Sequence, residues 1–263
     1  MKKILKLLAP PIFYEIYLKF FQKYGWFGDY LSWSDAAKAS TGYDDNLIIN
    51  QVVRSTKMVL SGDCEFERDS VAFYTPEYSW AIVSCLLWVA LKNKGKLNII
   101  DFGGSLASVY FQNRIFFKDI DVSWNVIEQE KFVKIGRKLI NNEDVSFYKD
   151  IDDCYKVNNH IDLVLFSGVL QYLENPTNII NSVIKKQVPH ILIDRTPIIQ
   201  QKNRITVQHV PPEIYKASYP CWFFNQDWFL KLFDSDYKKM FQFESLDSAN
   251  IDSKFLGILF EKK

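Results

Sequence analysis

The chain has no excess of either charge. Its 263 residues carry 32 lysines and arginines against 31 acids, a formal net charge of +1, without long runs of one sign. That balance removes the electrostatic reason to expect a nucleic-acid partner. Cysteine is scarce: Cys64, Cys85, Cys154 and Cys221 are scattered, with no C-x-x-C pair and no paired Cys/His spacing. Neither a disulfide framework nor a zinc site follows, no metal is expected, and the thiols read as reduced in a cytoplasmic protein. No apolar run reaches the roughly 20 residues that span a bilayer. The stretch Trp80–Lys92 is shorter and reads as a buried helix. Two nucleotide-binding signatures are missing as well. The absence of G-x-x-x-x-G-K-[ST] excludes a P-loop enzyme, and the absence of G-x-G-x-x-G argues against an NAD-dependent oxidoreductase.

The N-terminus sets lysines before an apolar stretch, but Lys6 interrupts it and Pro10 and Pro11 end it without a small-residue cleavage site. It is therefore not read as a secretion signal. Residues 12–21 crowd aromatics around Glu15 and Lys19. They read as a helix docked on the protein's own core; the alternative is a helix lying on the inner membrane face, which would give peripheral membrane contact. Up to residue 95 the chain is dense in aromatics and shows no strand–helix alternation, so it reads as a helical cap. Tyr74, Tyr78 and Trp80 are expected to face a cleft and exclude water from it.

Beyond residue 96 the rhythm changes. Short apolar runs at 97–101, 122–128, 145–150, 161–168 and 190–196 alternate with stretches of helical spacing, the last of which opens on Asn175 and Pro176. Alternation of this kind predicts a parallel sheet covered on both faces. The end differs: runs at 241–245 and 255–261 have no helix-length segment between them and pair as an antiparallel hairpin. The stretch 194–222, with the proline-rich "TVQHVPPEIY", reads as a loop wall.

The stretch "LNIIDFGGSLAS", residues 97–108, carries an acid and two adjacent glycines out of a strand into a helix start. Gly103 and Gly104 permit a tight turn and close backbone approach, and free N–H groups at the helix start suit a carboxylate. Glu128 ends the second strand, Asp150 and Ile151 follow the third, and Ser167 and Gly168 end the fourth, where open α/β sheets bind ligands. Singly, such features are ordinary turns and caps. Together, each at a strand's carboxyl end, they favour one site.

"IIDFGGS", "NVIEQ", "FYKDI" and "IDLVLFSGVLQYLENP", in this order, resemble class I S-adenosylmethionine-dependent methyltransferases. "ILIDRTPI" followed by "TVQHVPPEIYKASYPCWFF" is similar to a narrower group associated with bacterial surface-polysaccharide biosynthesis. The resemblance implies a Rossmann-like, mostly parallel seven-stranded sheet with a C-terminal antiparallel hairpin at 96–263, and the cap at 1–95. It implies S-adenosylmethionine as cofactor. Asp101 would face its amino group, Gly103, Gly104 and Ser105 would form the turn, and Glu128 with Gln129 would lie at the ribose. Asp150 and Ile151 would border the adenine, and Ser167 and Gly168, at the fourth strand's end, would also bind the cofactor. One departure is plain: where the family commonly has a third glycine, this chain has Ser105 and Leu106. For the acceptor, a sugar or other small molecule methylated on oxygen, His209 and Asp194 are the candidate bases and Tyr172, Arg195, Arg204, Tyr215 and Tyr219 the candidate wall, suited to a polar, even anionic, group. The alternative is a scaffold that keeps the fold without productive cofactor binding.

Overall fold

A computed structural model describes residues 23–42, 45–245 and 247–263. The stretch 12–21, read as a docked or membrane-surface helix, lies outside them. Residues before 96 supply helices α1 (Trp33–Lys38), α2 (Asp45–Ser61) and α3 (Trp80–Lys92). They also supply strand β1 (Gly25–Tyr30) and a hairpin of β2 (Phe66–Arg68) and β3 (Val71–Phe73), so the expectation of a purely helical cap is corrected. The hairpin turns on Asp69 and Ser70, both at positive φ (52° and 70°). That backbone fits the twist of tightly connected strands, but without the usual glycine it gave little sequence signal.

The alternating part runs β4 (Lys96–Phe102), α4 (Ser108–Asn113), β5 (Asp121–Ile127), α5 (Glu130–Leu139), β6 (Val145–Tyr148), α6 (Ile151–Val157), β7 (Leu163–Ser167), α7 (Pro176–Lys185) and β8 (His190–Ile199). Local chemistry explains the helix ends. Glu130 opens α5 and Arg137 and Lys138 close it, matching its dipole, and Pro176 starts α7 where a missing N–H costs nothing. Then come β9 (Arg204–His209), β10 (Ser218–Asn225), α8 (Gln226–Lys231), β11 (Tyr237–Glu244) and β12 (Lys254–Lys262).

In the sheet β6, β5, β4, β7 and β8 lie side by side and parallel, and β12 pairs antiparallel with both β8 and β11. The expected hairpin is thus present. The sheet has ten strands rather than the expected seven. The end of β8 continues to Ile199, where β10 joins it in parallel, and β9 and β1 follow in antiparallel pairing. The stretch read as a loop is therefore largely strand. Ile205, Thr206 and Val207 are all buried in β9, Thr206 with its hydroxyl donating to Cys221 O, and Pro211 and Pro212 fall beyond the strand's end.

Buried Ile48, Val52 and Leu86, from α2 and α3, join Leu97, Ile99, Leu163 and Leu165 in one apolar cluster on a face of the sheet. The early helices thus share a core with the strands. Leu86 is fully buried, so Leu86→Ala is expected to cost about 2–5 kcal/mol. Denaturant unfolding would show it, and a loss well under 1 kcal/mol would mean that α3 is only loosely attached. Among the described residues no helix is long and apolar enough to cross a membrane.

Candidate functional site

The carboxyl ends of β4, β5, β7 and β8 open into a cleft of about 1280 Å³, walled on its other sides by β1, α1, the β2–β3 hairpin, the start of α3 and the β9–β10 region. At its floor the chain leaves β4 through Gly103, whose φ is 72° and whose N–H donates to Ile127 O at 2.9 Å. A Cβ at Gly103 would lie 2.4 Å from Val169 Cγ2, and one at Gly104 would lie 2.3 Å from Asp101 Oδ2. Both glycines are thus required by space. The absent third glycine is not: Ser105 and Ala107 adopt positive φ (55° and 62°) themselves. Such residues carry a backbone cost on the order of 1 kcal/mol each, held in place by the surrounding structure.

The turn gathers carboxylates. Asp101 is 1% exposed; its Oδ2 accepts from Trp124 Nε1 at 3.0 Å, and its Oδ1 is buried with no partner. Burial, with the charge of Glu128 nearby, pushes its pKa up to about 7 despite the Trp124 bond. Glu128, half-buried, accepts from Ser105 N at 3.3 Å and Gln129 N at 2.8 Å, and desolvation raises it to about 7. Each of its oxygens keeps a lone pair for a further donor. Asp150 caps α6 by accepting from Asp153 N at 2.7 Å, Ile151 is buried beside it, and both line the cleft with Gln129.

Across β7, Ser167 Oγ donates to Asp194 Oδ2 at 3.2 Å, and Gly168, at φ 65°, donates its N–H to Asp194 O at 3.0 Å. Asp194 is 5% exposed, also accepts from Ser245 Oγ at 2.7 Å, and burial raises its pKa. Tyr172, Tyr215 and Tyr219 line the wall: Tyr172 Oη donates to Gln208 Oε1 at 2.7 Å, the other two hydroxyls bond at 3.2 Å, and the Tyr172 and Tyr219 rings meet edge to face. Arg195 also lines the cleft, at positive φ (53°), but its guanidinium is occupied by Asp247 (2.9 and 3.0 Å) and Asp69.

Two expected residues are not brought to the cleft. His209 ends β9 on the face opposite Gln208, its ring edge-on to Phe27, and Arg204 donates to Gly28 O at 2.8 Å. For His209 strand alternation is the reason: Gln208 turns to the cleft, so its neighbour turns away; Arg204 shares the face of Gln208 but lies at the other end of β9, held by Gly28 O. Tyr78 and Trp80 line the cleft as expected, whereas Tyr74 is exposed outside it. Sequence reasoning missed Glu67, Asp69 and Gln171. Glu67 is 4% exposed on β2, bonded to Ser108 Oγ and Ser70 N, and raised by burial to about 7. No local pattern marks it, because its partner Ser108 lies 41 residues along the chain.

Neither a protein-family model nor a curated protein matches the chain. Solved structures do. The chain is similar to the N-terminal domain of EvdMO1, solved in the presence of S-adenosylhomocysteine and D-fucose, with TM-score 0.50 and 10% identity, covering 84% of this chain and 98% of that one. It is also similar to a Listeria monocytogenes protein described as an S-adenosylmethionine dependent methyltransferase, with TM-score 0.50 and 10% identity, covering 70% of this chain and 97% of that one. The fold is the α/β, Rossmann-like methyltransferase fold, with a mostly parallel sheet and added antiparallel strands.

Proposed function

We propose that this chain transfers a methyl group from S-adenosylmethionine to a small, sugar-type acceptor. The observation that carries this reading is the convergence, in one cleft at the strands' carboxyl ends, of the Gly103–Gly104 turn, Asp101, Glu128, Asp150 and Ile151. The residues suit the cofactor. Both glycine positions are spaces that a side chain would fill, and the buried, unpartnered Oδ1 of Asp101 lacks a donor of the kind an amino group supplies. Glu128 has two oxygens for the two ribose hydroxyls, and Asp150 and Ile151 offer an acceptor and an apolar face to the adenine. Bound there, S-adenosylmethionine supplies an electrophilic methyl carbon; the protein has to align the acceptor with it and exclude water.

Of the two residues expected to act on the acceptor, Asp194 lines the cleft and His209 does not, so Asp194 is the acid we assign to it. The tyrosine wall suits a sugar ring. D-fucose accompanies the similar EvdMO1 domain, and the resemblance of the sequence to surface-polysaccharide methyltransferases points the same way. Oxygen methylation of such a sugar is the finer form of the reading. What supports the enzyme reading over the scaffold alternative is that the turn forms without the third glycine, with Ser105 and Ala107 at positive φ.

Calorimetry tests the cofactor half. Glu128→Ala is expected to weaken S-adenosylhomocysteine binding by about 1–3 kcal/mol through lost charge-assisted hydrogen bonds. A folded variant that binds as tightly as the parent would remove Glu128 from the site.

A further inference from the structure

Although the whole chain is balanced, the cleft is not. Nine carboxylates line it against four cations, and every cation is already paired. Arg68 is bonded to Glu77, Lys149 to Asp153, Lys186 to Asp152, and Arg195 to both Asp69 and Asp247. An anionic group on the acceptor would meet no uncommitted Lys or Arg among the described residues, and would leave water for a wall of carboxylates. The expectation of an anionic acceptor is thereby reversed.

The carboxylates divide between the two ends of the cleft. Asp101, Glu128 and Glu67 are tied to the glycine turn and to Ser108 just after it, the cofactor end. Asp194 is paired in register with Ser167 across from β7, with two serine hydroxyls as donors and no salt bridge; the Arg195 cation that acts on it is itself paired with Asp69 and Asp247. Nearby, Gln171 donates its Nε2 to Arg195 O at 3.1 Å, while its Oε1 is buried without a partner. On the same wall Tyr172 Oη donates to Gln208, and Tyr215 and Tyr219 share one hydrogen bond in which either can be the donor. Beside Asp194 this end of the cleft thus leaves one buried acceptor over, Gln171 Oε1. A hydroxyl brings one proton to such a place, whereas an ammonium brings three and a positive charge.

We infer that the acceptor is an aminated sugar without anionic groups, its amino group held by Asp194 and Gln171; this rests on the methyl-transfer reading above. The probes are D-glucosamine, D-glucose and D-glucuronate, which share a ring and differ in the charge they carry. Each is titrated into the full chain with and without saturating S-adenosylhomocysteine. Glucosamine is expected to bind about tenfold or more tighter than glucose, with no saturable heat from glucuronate. Asp194→Asn should remove the amine's advantage in a variant that still binds S-adenosylhomocysteine. Gln171→Leu, checked by its melting curve, should reduce that advantage and stands in if the first variant fails to fold. Glucuronate binding as well as glucosamine, no saturable glucosamine binding, or an amine preference that survives these substitutions would overturn the inference. Absence of S-adenosylhomocysteine binding by the parent chain would instead sink the methyltransferase reading, and the sugar order would still be measured.

Discussion

Gly104→Ala should abolish measurable S-adenosylhomocysteine binding and lower the stability of the protein. The added methyl would sit 2.3 Å from Asp101 Oδ2, 2.4 Å from its Cγ and 2.8 Å from Oδ1. This is no flexible surface group that can swing away: Asp101 is buried and pinned by the Trp124 indole. Relief requires either displacing the carboxylate, which breaks that bond, or moving the turn, which shifts the Ser105 N–H that Glu128 accepts. Overpacking of this kind costs about 1–3 kcal/mol, and a stranded buried carboxylate adds to it. Calorimetry and a denaturant melt give the two readouts. Near-parent values in both would show that the turn has slack that its contacts do not reveal.

The second large effect is on pH. Glu67 and Asp101 are each raised to about 7 by burial, well above their values in an unfolded chain. Between the unfolded and folded pKa values the folded form binds more protons, so unfolding free energy falls as pH rises. Each group should withdraw on the order of 3–4 kcal/mol as pH rises from its unfolded value, about 4 for Asp101 and about 4.5 for Glu67, to about 7. The unliganded protein should therefore melt higher at mildly acidic than at mildly alkaline pH. Two groups bound the window. Glu261, bonded by Lys238 and Lys92, is lowered to about 2, so its stabilisation is lost only at more acidic pH. His190, lowered chiefly by burial, acts in the opposite direction near neutrality. Melting temperature against pH for the parent and for Glu67→Gln separates these terms, since the variant should show a flatter curve. Identical curves would mean that Glu67 is ionised at neutral pH or titrates alike in both states.

Much of the site could be read along the chain because its parts are local. The acid and paired glycines after β4, the acid after β5, the Asp150 cap and the serine and glycine after β7 each sit at a strand's end, and a short run of residues is enough to show a strand's end. The glycines matter for a reason the sequence could state, the space a side chain would take, and the structure locates what would collide. The antiparallel hairpin was legible too, since two strands with no crossover helix between them can pair in few other ways.

The remainder depends on pairings between distant residues. β1 joins the sheet by setting Gly25 against His209, and nothing in either strand alone announces its partner. Arg195 looked like an anion receptor until Asp69, 126 residues away, and Asp247 were found on it. His209 and Gln208 are equally plausible by composition, and a one-residue difference in strand register decides which one meets the cleft. The parallel sheet, its closing hairpin and the glycine turn could be read from neighbouring residues, because hydrophobic periodicity and backbone freedom are local properties. The extra strands, the buried Glu67, the pairing of the cleft's cations and the placing of Asp194 and Gln171 on one cleft came only with the folded chain. Burial and charge pairing depend on which distant residues the folded chain brings together.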